Sequence, residues 1–516
     1  MDENVVFDPA AKQGDQTNQA PEGDQNAAPE PAAPAGDTTV AAPTDPATEQ
    51  PVDAQPDQAV DDQLEMVPEE APPPPSGPLG FLAANWKKFL IGFVILIILI
   101  VVINLLIPKN KVTQQVTLTW WGLWEEGPAV QTLILDFKKT HPNIDVQYVK
   151  RDPQDYLDRL KTRIDSGSGP DIFRYHNSWV PQLGDKLLPL SVDVITPETF
   201  KATYYPVIQH DLMKNNGILG IPLDADSLQM FINPDLFAAA GVQVPSKWDD
   251  LVTAAKDLTT KDSTSGKITQ SGAALGTFNN ISHASDIVSL LFVQQGVAMD
   301  TFTAPAKNKA DALRFYTSFA TGDNSVWNGT LDNSLLAFSK GKLAIYFGYS
   351  WDVFAIQRLN SNLKFKVYPV PQLSGIKTTI ASYWVEGVSS KSKNQKEAYE
   401  FMKYLAQKDT AEKFYTESAK TRAFGEPYAR KDLRESLRED PLVFPFLNSL
   451  DDASSTIFSS DTHDGDTGMD TILNNYLGDA INGIVNDSES PDSSVETLNN
   501  GVNQTLEKYG VTQPQQ

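Results

Sequence analysis

Three regimes of hydrophobic patterning divide the chain. Residues 1–80 show no apolar periodicity; they are rich in Ala, Pro, Gln, Asp and Glu and end near Pro72-Pro73-Pro74-Pro75. Such a stretch buries too little apolar surface to offset the entropy of ordering, so residues 1–80 are expected to be a disordered, acidic, Pro/Ala-rich segment. From Phe89 to Ile107 the pattern inverts to FLIGFVILIILIVVINLLI, without a single charge. At 1.5 Å per residue this run covers roughly 28 Å, close to the hydrocarbon thickness of a bilayer. Trp86, Lys87 and Lys88 precede it, and Lys109 and Lys111 follow, as an interfacial belt would. Residues 87–108 are therefore expected to form a transmembrane anchor helix. Ile107-Pro108-Lys109-Asn110 has no small-x-small cleavage site, which points to an uncleaved anchor. With two lysines on each side, flanking charge does not choose the orientation.

From residue 112 the pattern becomes that of a globular body. Val116–Trp121 is a β-prone run, Val130, Leu133, Ile134 and Phe137 recur at helical spacing, and Ile144–Val149 alternates like a strand. Tyr156, Leu160 and Ile164 mark a second helix, ended by Gly167 and Gly169, before a strand over Asp171–Tyr175. Strands alternating with helices predict parallel βαβ units covered on both faces. Ser246-Lys247-Trp248-Asp249 reads as a capping box opening a helix over Leu251–Leu258. Further helices are expected over Lys396–Gln407, Thr410–Ser418, Met469–Ile484 and Val495–Tyr509.

Charge sharpens this division. Residues 1–80 hold 17 of the 66 acids and a single lysine, so −16 of the total −24 sits in the first segment. The remainder is mildly acidic and has no basic stripe, which argues against nucleic acid as a partner. The absence of cysteine excludes disulfides, thiolate metal sites, cysteine nucleophiles and a lipidated-cysteine tether. The five histidines form no H-E-x-x-H, Gly266-Lys267 lacks the rest of a Walker loop, and Gly348–Asp352 fails the nucleophile elbow at its last position. Asp461, Asp464, Asp466 and Asp470 around Gly465 suggest a calcium loop, but their spacing is not that of an EF-hand. No metal, cofactor or catalytic residue is expected.

Four stretches carry a family pattern: FKKTHPNIDV (137–146); YLDRL (156–160) through SGSGPDI (166–172); GILGIPL (217–223) through FINPDLF (231–237), Ala240-Gly241 and PSKWDDL (245–251); and FSKGKLA (338–344) leading to Ser350-Trp351. In this order and spacing they resemble the bacterial extracellular solute-binding proteins, which include the maltose- and oligosaccharide-binding receptors of ABC importers. The resemblance implies an α/β, two-lobed periplasmic-binding-protein type II architecture with a hinged cleft, across a solute-binding domain of 112–510. Lobe one would be about 112–222 plus 385–425 and lobe two about 223–384 plus 426–510, with crossings near Ile221–Asp224 and Ser382–Gly387. It also implies capture of a small solute, a mono- or oligosaccharide, for ABC permease subunits, by a monomer anchored with its N-terminal segment in the cytoplasm and its binding domain outside. Two other readings share the binding lobes: a surface sensor or adhesin, and a surface carbohydrate-active enzyme.

An indole can stack on the C–H face of a sugar, while carboxylates and amides take its hydroxyls. Trp121, Trp124 and Glu125 follow the first strand, at the carboxyl end where open α/β sheets bind ligands. Trp179 follows the Asp171–Tyr175 strand at the same edge, with His176 and Asn177. Asp224 lies at the first crossing and Trp384 at the second. By the resemblance, Asp226 falls where sugar-binding relatives carry an acidic ligand residue, and Trp351 where they carry a stacking aromatic. Each has a plain structural alternative: tryptophan often packs in a core, Asp224 and Asp226 suit a hinge cap, and Glu125 with Glu126 suits the acidic first turn of a helix near Pro128. Trp120 and Trp248 are read as core.

Overall fold

A computed structural model describes residues 78–106 and 115–511, except 126, 215–216, 323–324, 374 and 461; the side chains of 78–84 and 104–106 are not described. The acidic segment before residue 78, Lys109, Lys111, Glu126 and Asp461 thus lie outside the described residues. The chain divides into two units, 1–107 and 108–516.

The described part of the first unit is one helix, Pro78–Leu106, whose window Asn85–Ile103 is long and apolar enough to cross a membrane. All large apolar side chains from Trp86 to Ile103 are exposed. A helix that is apolar on every side finds its low-energy surroundings in lipid or in a protein core.

In the second unit β1 (Val116–Gly122), β2 (Ile144–Lys150) and β3 (Ile172–His176) are joined by the helices Gly127–Thr140 and Tyr156–Asp165. All three run parallel, in the order β2-β1-β3, as the alternating pattern predicts. The helix Gly127–Thr140 buries Val130, Leu133, Ile134 and Phe137, the stripe legible in the sequence. Gly167, at φ +68°, takes the left-handed conformation that ends the second helix. β4 (Leu187–Leu188) follows, then a hairpin of β5 (Met213–Lys214) with β6 (Gly217–Ile218), then β7 (Ile221–Pro222).

The chain then leaves this sheet through β8 (Asp226–Ser227) and β9 (Gln229–Ile232). β10 (Thr260–Lys261), β11 (Ile268–Ala273), β12 (Leu343–Gly348) and β13 (Lys366–Tyr368) complete a second sheet, ordered β10-β11-β12-β9-β13. β14 (Thr379–Ser382) leads back, and β15 (Trp384–Ser389) inserts antiparallel to β3 in the first sheet, pairing with β4 and β7 as well. Only Tyr383 separates β14 from β15. β16 (Ala453–Ser454) pairs with β14, so β16, β14 and β8 make a small sheet where the chain passes between the two large ones.

The late helices lie at Gln395–Leu405, Lys408–Ser418, Met469–Asn486 and Pro491–Lys508. The last two pack on each other and on Ala306–Thr317, beside the second sheet, whereas Lys408–Ser418 packs on Gly127–Thr140, beside the first. One local expectation fails. The helix Trp248–Asp257 is preceded by Lys247 without a side-chain cap, so the capping box is not formed. The backbone there is taken up elsewhere: Ser246 O accepts from Gln372 N, and Lys247 bridges Gln372. Trp248 is buried and its Nε1 donates to Gln294 at 2.7 Å.

Candidate functional site

Register puts the polar groups of the first sheet in place. β15 lies against β3 so that Trp384 faces His176 and Glu386 faces Arg174, pairs more than two hundred residues apart in the chain. Arg174 is buried; its Nε donates to Glu386 Oε1 at 2.7 Å, and Nη1 forms an ion pair with Glu125 and stands 3.8 Å from Asp224 Oδ2. Trp120 Nε1 donates to the other Glu386 oxygen at 2.7 Å, which makes Trp120 a core residue with its polar edge satisfied. Glu125 also accepts from Tyr148 OH at 3.1 Å. Gly122 allows that contact, because a β-carbon there would collide with the Tyr148 ring. Asp224 Oδ1 accepts from Trp384 N at 3.3 Å. Burial pushes the Asp224 carboxyl up to about 7; Arg174 opposes that rise and Glu426 adds to it.

Tryptophans stand on this floor. Trp124 is 41% exposed and meets Trp384 edge-to-face at 5.7 Å between ring centres. Trp384, half-buried, lies 5.2 Å from Trp179 and 5.0 Å from His176, again edge-to-face. Trp179 is buried. Trp121 is buried too, under the Arg151 guanidinium at 3.9 Å and near Tyr156.

The second sheet supplies a different arrangement. β12 ends at Gly348, and the helix Ser350–Leu359 begins at once. Trp351, in its first turn, is half-buried and stacks on Tyr349 at 4.4 Å with 12° between the planes. Tyr349 is held at both ends: its OH donates to Asp286 Oδ1 at 3.1 Å, and its N–H to Asp352 Oδ2 at 3.0 Å. Asp352 Oδ2 also meets Tyr346 OH at 3.0 Å and His283 Nε2 at 2.8 Å. Asp226 accepts from Ser350 N at 2.9 Å and Ser227 N at 2.7 Å. Burial pushes its carboxyl up to about 7, against those hydrogen bonds.

The two arrangements connect across the passing strands. Asp226 pairs with Ser382 in the β8–β14 register, and Ser382 Oγ lies 3.0 Å from His176 Nε2, whose ring touches Trp384. Trp124, Trp179, Trp384, Glu125 and Asp224 thus gather on the first sheet, and Trp351 with Asp226 on the second. Trp121 lies against Tyr156, which in turn neighbours Trp179. Sequence reasoning missed Arg174, Glu386, Tyr349 and His283 as parts of this constellation. A lone arginine in a strand gives no signal until the strand opposite it is known. Glu125 turns toward Arg174, away from the role of an acidic first helical turn.

A cavity of about 410 Å³ lies elsewhere, lined by Val244, Pro245, Tyr368, Val370, Lys377 and Asp452 among others, and by none of the eight candidates. Among the described residues no group of three or more His, Cys, Asp or Glu is placed to hold a metal ion. Asp464 serves the backbone: it accepts from Asp470 N at 2.6 Å and Thr471 N at 3.1 Å, closing the first turn of the helix Met469–Asn486.

Two α/β lobes joined by short passing strands, with aromatic and polar groups at the passage, define a hinged binding protein. Residues 121–412 match the family model for bacterial extracellular solute-binding protein, and the chain belongs to that family. It is 24% identical over 354 residues to the multiple sugar-binding protein of Streptococcus mutans serotype c, covering 65% of this chain and 80% of that protein. Among solved structures, a cyclo/maltodextrin-binding protein complexed with maltotetraose superposes with a TM-score of 0.61 at 17% identity, over 77% of this chain and 99% of that one. The sugar-binding protein MalE from Xanthomonas citri superposes with a TM-score of 0.62 at 20% identity, over 76% and 98% respectively.

Proposed function

We propose that this protein is a membrane-anchored, extracytoplasmic receptor that captures a mono- or oligosaccharide and passes it to the permease subunits of an ABC importer, without chemical turnover. The observation that carries the sugar reading is the set of partly exposed indoles, Trp124 and Trp384 on one side with Asp224 beside them and Trp351 on the other with Asp226 close by. Flat apolar faces beside fixed carboxylates match a ring with a C–H face and a rim of hydroxyls. Trp179, Trp121 and Glu125 support the contacting residues from behind. The lobes divide at about 222 and 385, and closure about β8 and β14 brings the two sides onto the solute. The helix Pro78–Leu106 carries the membrane span, with the acidic segment inside the cell.

A ligand that binds the folded state raises its melting temperature, by mass action. A thermal-shift screen of the full-length chain in detergent, over malto-oligosaccharides, monosaccharides, polyols and polyamines, is expected to select a saccharide. Stabilisation by polyamines alone would overturn the sugar assignment, and release of hydrolysed product would overturn the receptor reading. Protease added to intact cells should cut the binding domain and spare the acidic segment; the opposite pattern would overturn the topology.

A further inference from the structure

The strap from Thr462 to Asp470 carries bonds from one lobe to the other. It leads into the helix Met469–Asn486, which packs on Ala284–Gln294, Ala306–Thr317 and Pro491–Lys508 beside the second sheet. Its polar groups, however, engage residues that follow β3 of the first sheet. Gln182 Nε2 donates to Asp464 Oδ2 at 2.8 Å, Met469 N donates to Gln182 Oε1 at 3.3 Å, and Ser178 Oγ lies 2.5 Å from Asp470 Oδ2. Asp464, Asp470, Ser178 and Gln182 are all buried. Gly465, at φ +87°, passes so near the first lobe that a β-carbon on it would stand 2.8 Å from Asp158 Oδ2.

Ser178 N donates to His176 Nδ1 at 3.3 Å, so Nδ1 carries no proton and Nε2–H donates to Ser382 Oγ at 3.0 Å. Ser178 Oγ also lies 2.7 Å from Nδ1, and with that nitrogen an acceptor the hydroxyl hydrogen goes to it. The hydroxyl then has no hydrogen left for Asp470, and the 2.5 Å contact is a hydrogen bond when the carboxyl supplies one. We propose that Asp470 is held as a neutral acid donating to Ser178, and that this proton clasps the strap onto the first lobe and sets how far the binding site stands open. The clasp regulates the site of the proposed receptor and rests on that reading for its purpose.

The surroundings agree. Burial, followed by the neighbouring Asp464, pushes Asp470 up to about 8. Burial pulls His176 down to about 3, so it stays neutral. His463, Asp464 and Asp466 stand on the strap itself, and Asp158 and Tyr509 face it, the Tyr509 OH donating to Thr467 O at 3.5 Å. Because the folded value lies above the ordinary carboxylate range, the clasp is complete at low pH and is lost as pH rises through about 8.

The chain has no cysteine, so spin labels at Leu135→Cys and Leu359→Cys, two exposed positions on opposite lobes, go nowhere else. The distance between them is measured by double electron–electron resonance on the full-length chain in detergent, without ligand, at pH 6 and pH 9. The labelled background should lengthen by more than ~2 Å between the two pH values, the scale of a hinge rearrangement. Asp470→Asn, whose amide donates to Ser178 and does not ionise, should stay short at both, and Ser178→Ala should be long at both. A background that does not respond to pH, or an Asp470→Asn variant that responds like the background, overturns the clasp. Because no sugar is used, that failure leaves the receptor reading standing.

Discussion

On the first sheet, Glu125, Glu386 and Asp224 gather round one guanidinium, Arg174. On the second, Asp226 and Asp352 are held by backbone N–H groups, a tyrosine hydroxyl and a histidine. Both arrangements bury carboxylates beside tryptophan, yet one sets them round a guanidinium and the other among separate backbone, hydroxyl and imidazole contacts. A buried ion pair is costly to break, since the surviving charge is stranded in a poor solvent. A network of separate hydrogen bonds loses one bond at a time. The first side is therefore the rigid floor of the site, and the second is the side whose parts can be altered singly.

Three experiments exploit this contrast. Arg174→Ala strands Glu125 and Glu386 and should lower the unfolding free energy by about 3–5 kcal/mol; a loss below about 1 kcal/mol in a denaturant titration would mean that the acids are neutral or hydrated. Tyr349→Phe removes the bond to Asp286 and leaves its stacking ring, so the expected loss is smaller, about 1–2 kcal/mol. If it matched the Arg174 variant, the contrast between the two sides would fail. The smallest effect concerns protons. Asp224 and Asp226 are both pushed up to about 7 by burial, above their ordinary value, so their contribution is fully present below about pH 4 and is lost as pH rises through 7. Melting temperature should fall from pH 5 to pH 8, and Asp226→Asn should flatten part of that slope.

The elements of the first lobe were legible from periodicity because β1, β2 and β3 and their helices are contiguous in the chain. The stripe Val130, Leu133, Ile134, Phe137 and the break at Gly167 carry their own local cause. Trp248 and Trp120 were also readable as core, since each sits inside a regular element. The charged floor was not readable. Arg174 and Glu386 meet through an antiparallel insertion of β15 that no local pattern announces, and the same insertion turns Glu125 away from the helix it precedes. The capping box at Ser246 failed for a related reason: its backbone partner, Gln372, belongs to a distant loop. Trp351 was placed after a strand correctly, but its stacking on Tyr349 depends on Asp286 and His283, some 65 residues earlier in the chain.

Trp351 carries the most direct test of the site. Trp351→Ala and the parent chain, both full-length, are titrated calorimetrically with the sugar selected by the thermal-shift screen, and both are unfolded in denaturant. The expected result is an affinity loss of about 1–2 kcal/mol, roughly five- to thirty-fold, with stability close to that of the parent. Unchanged affinity of the folded fraction, together with a stability loss of about 3–5 kcal/mol from a new cavity, would make Trp351 a core residue and remove the second side of the proposed site.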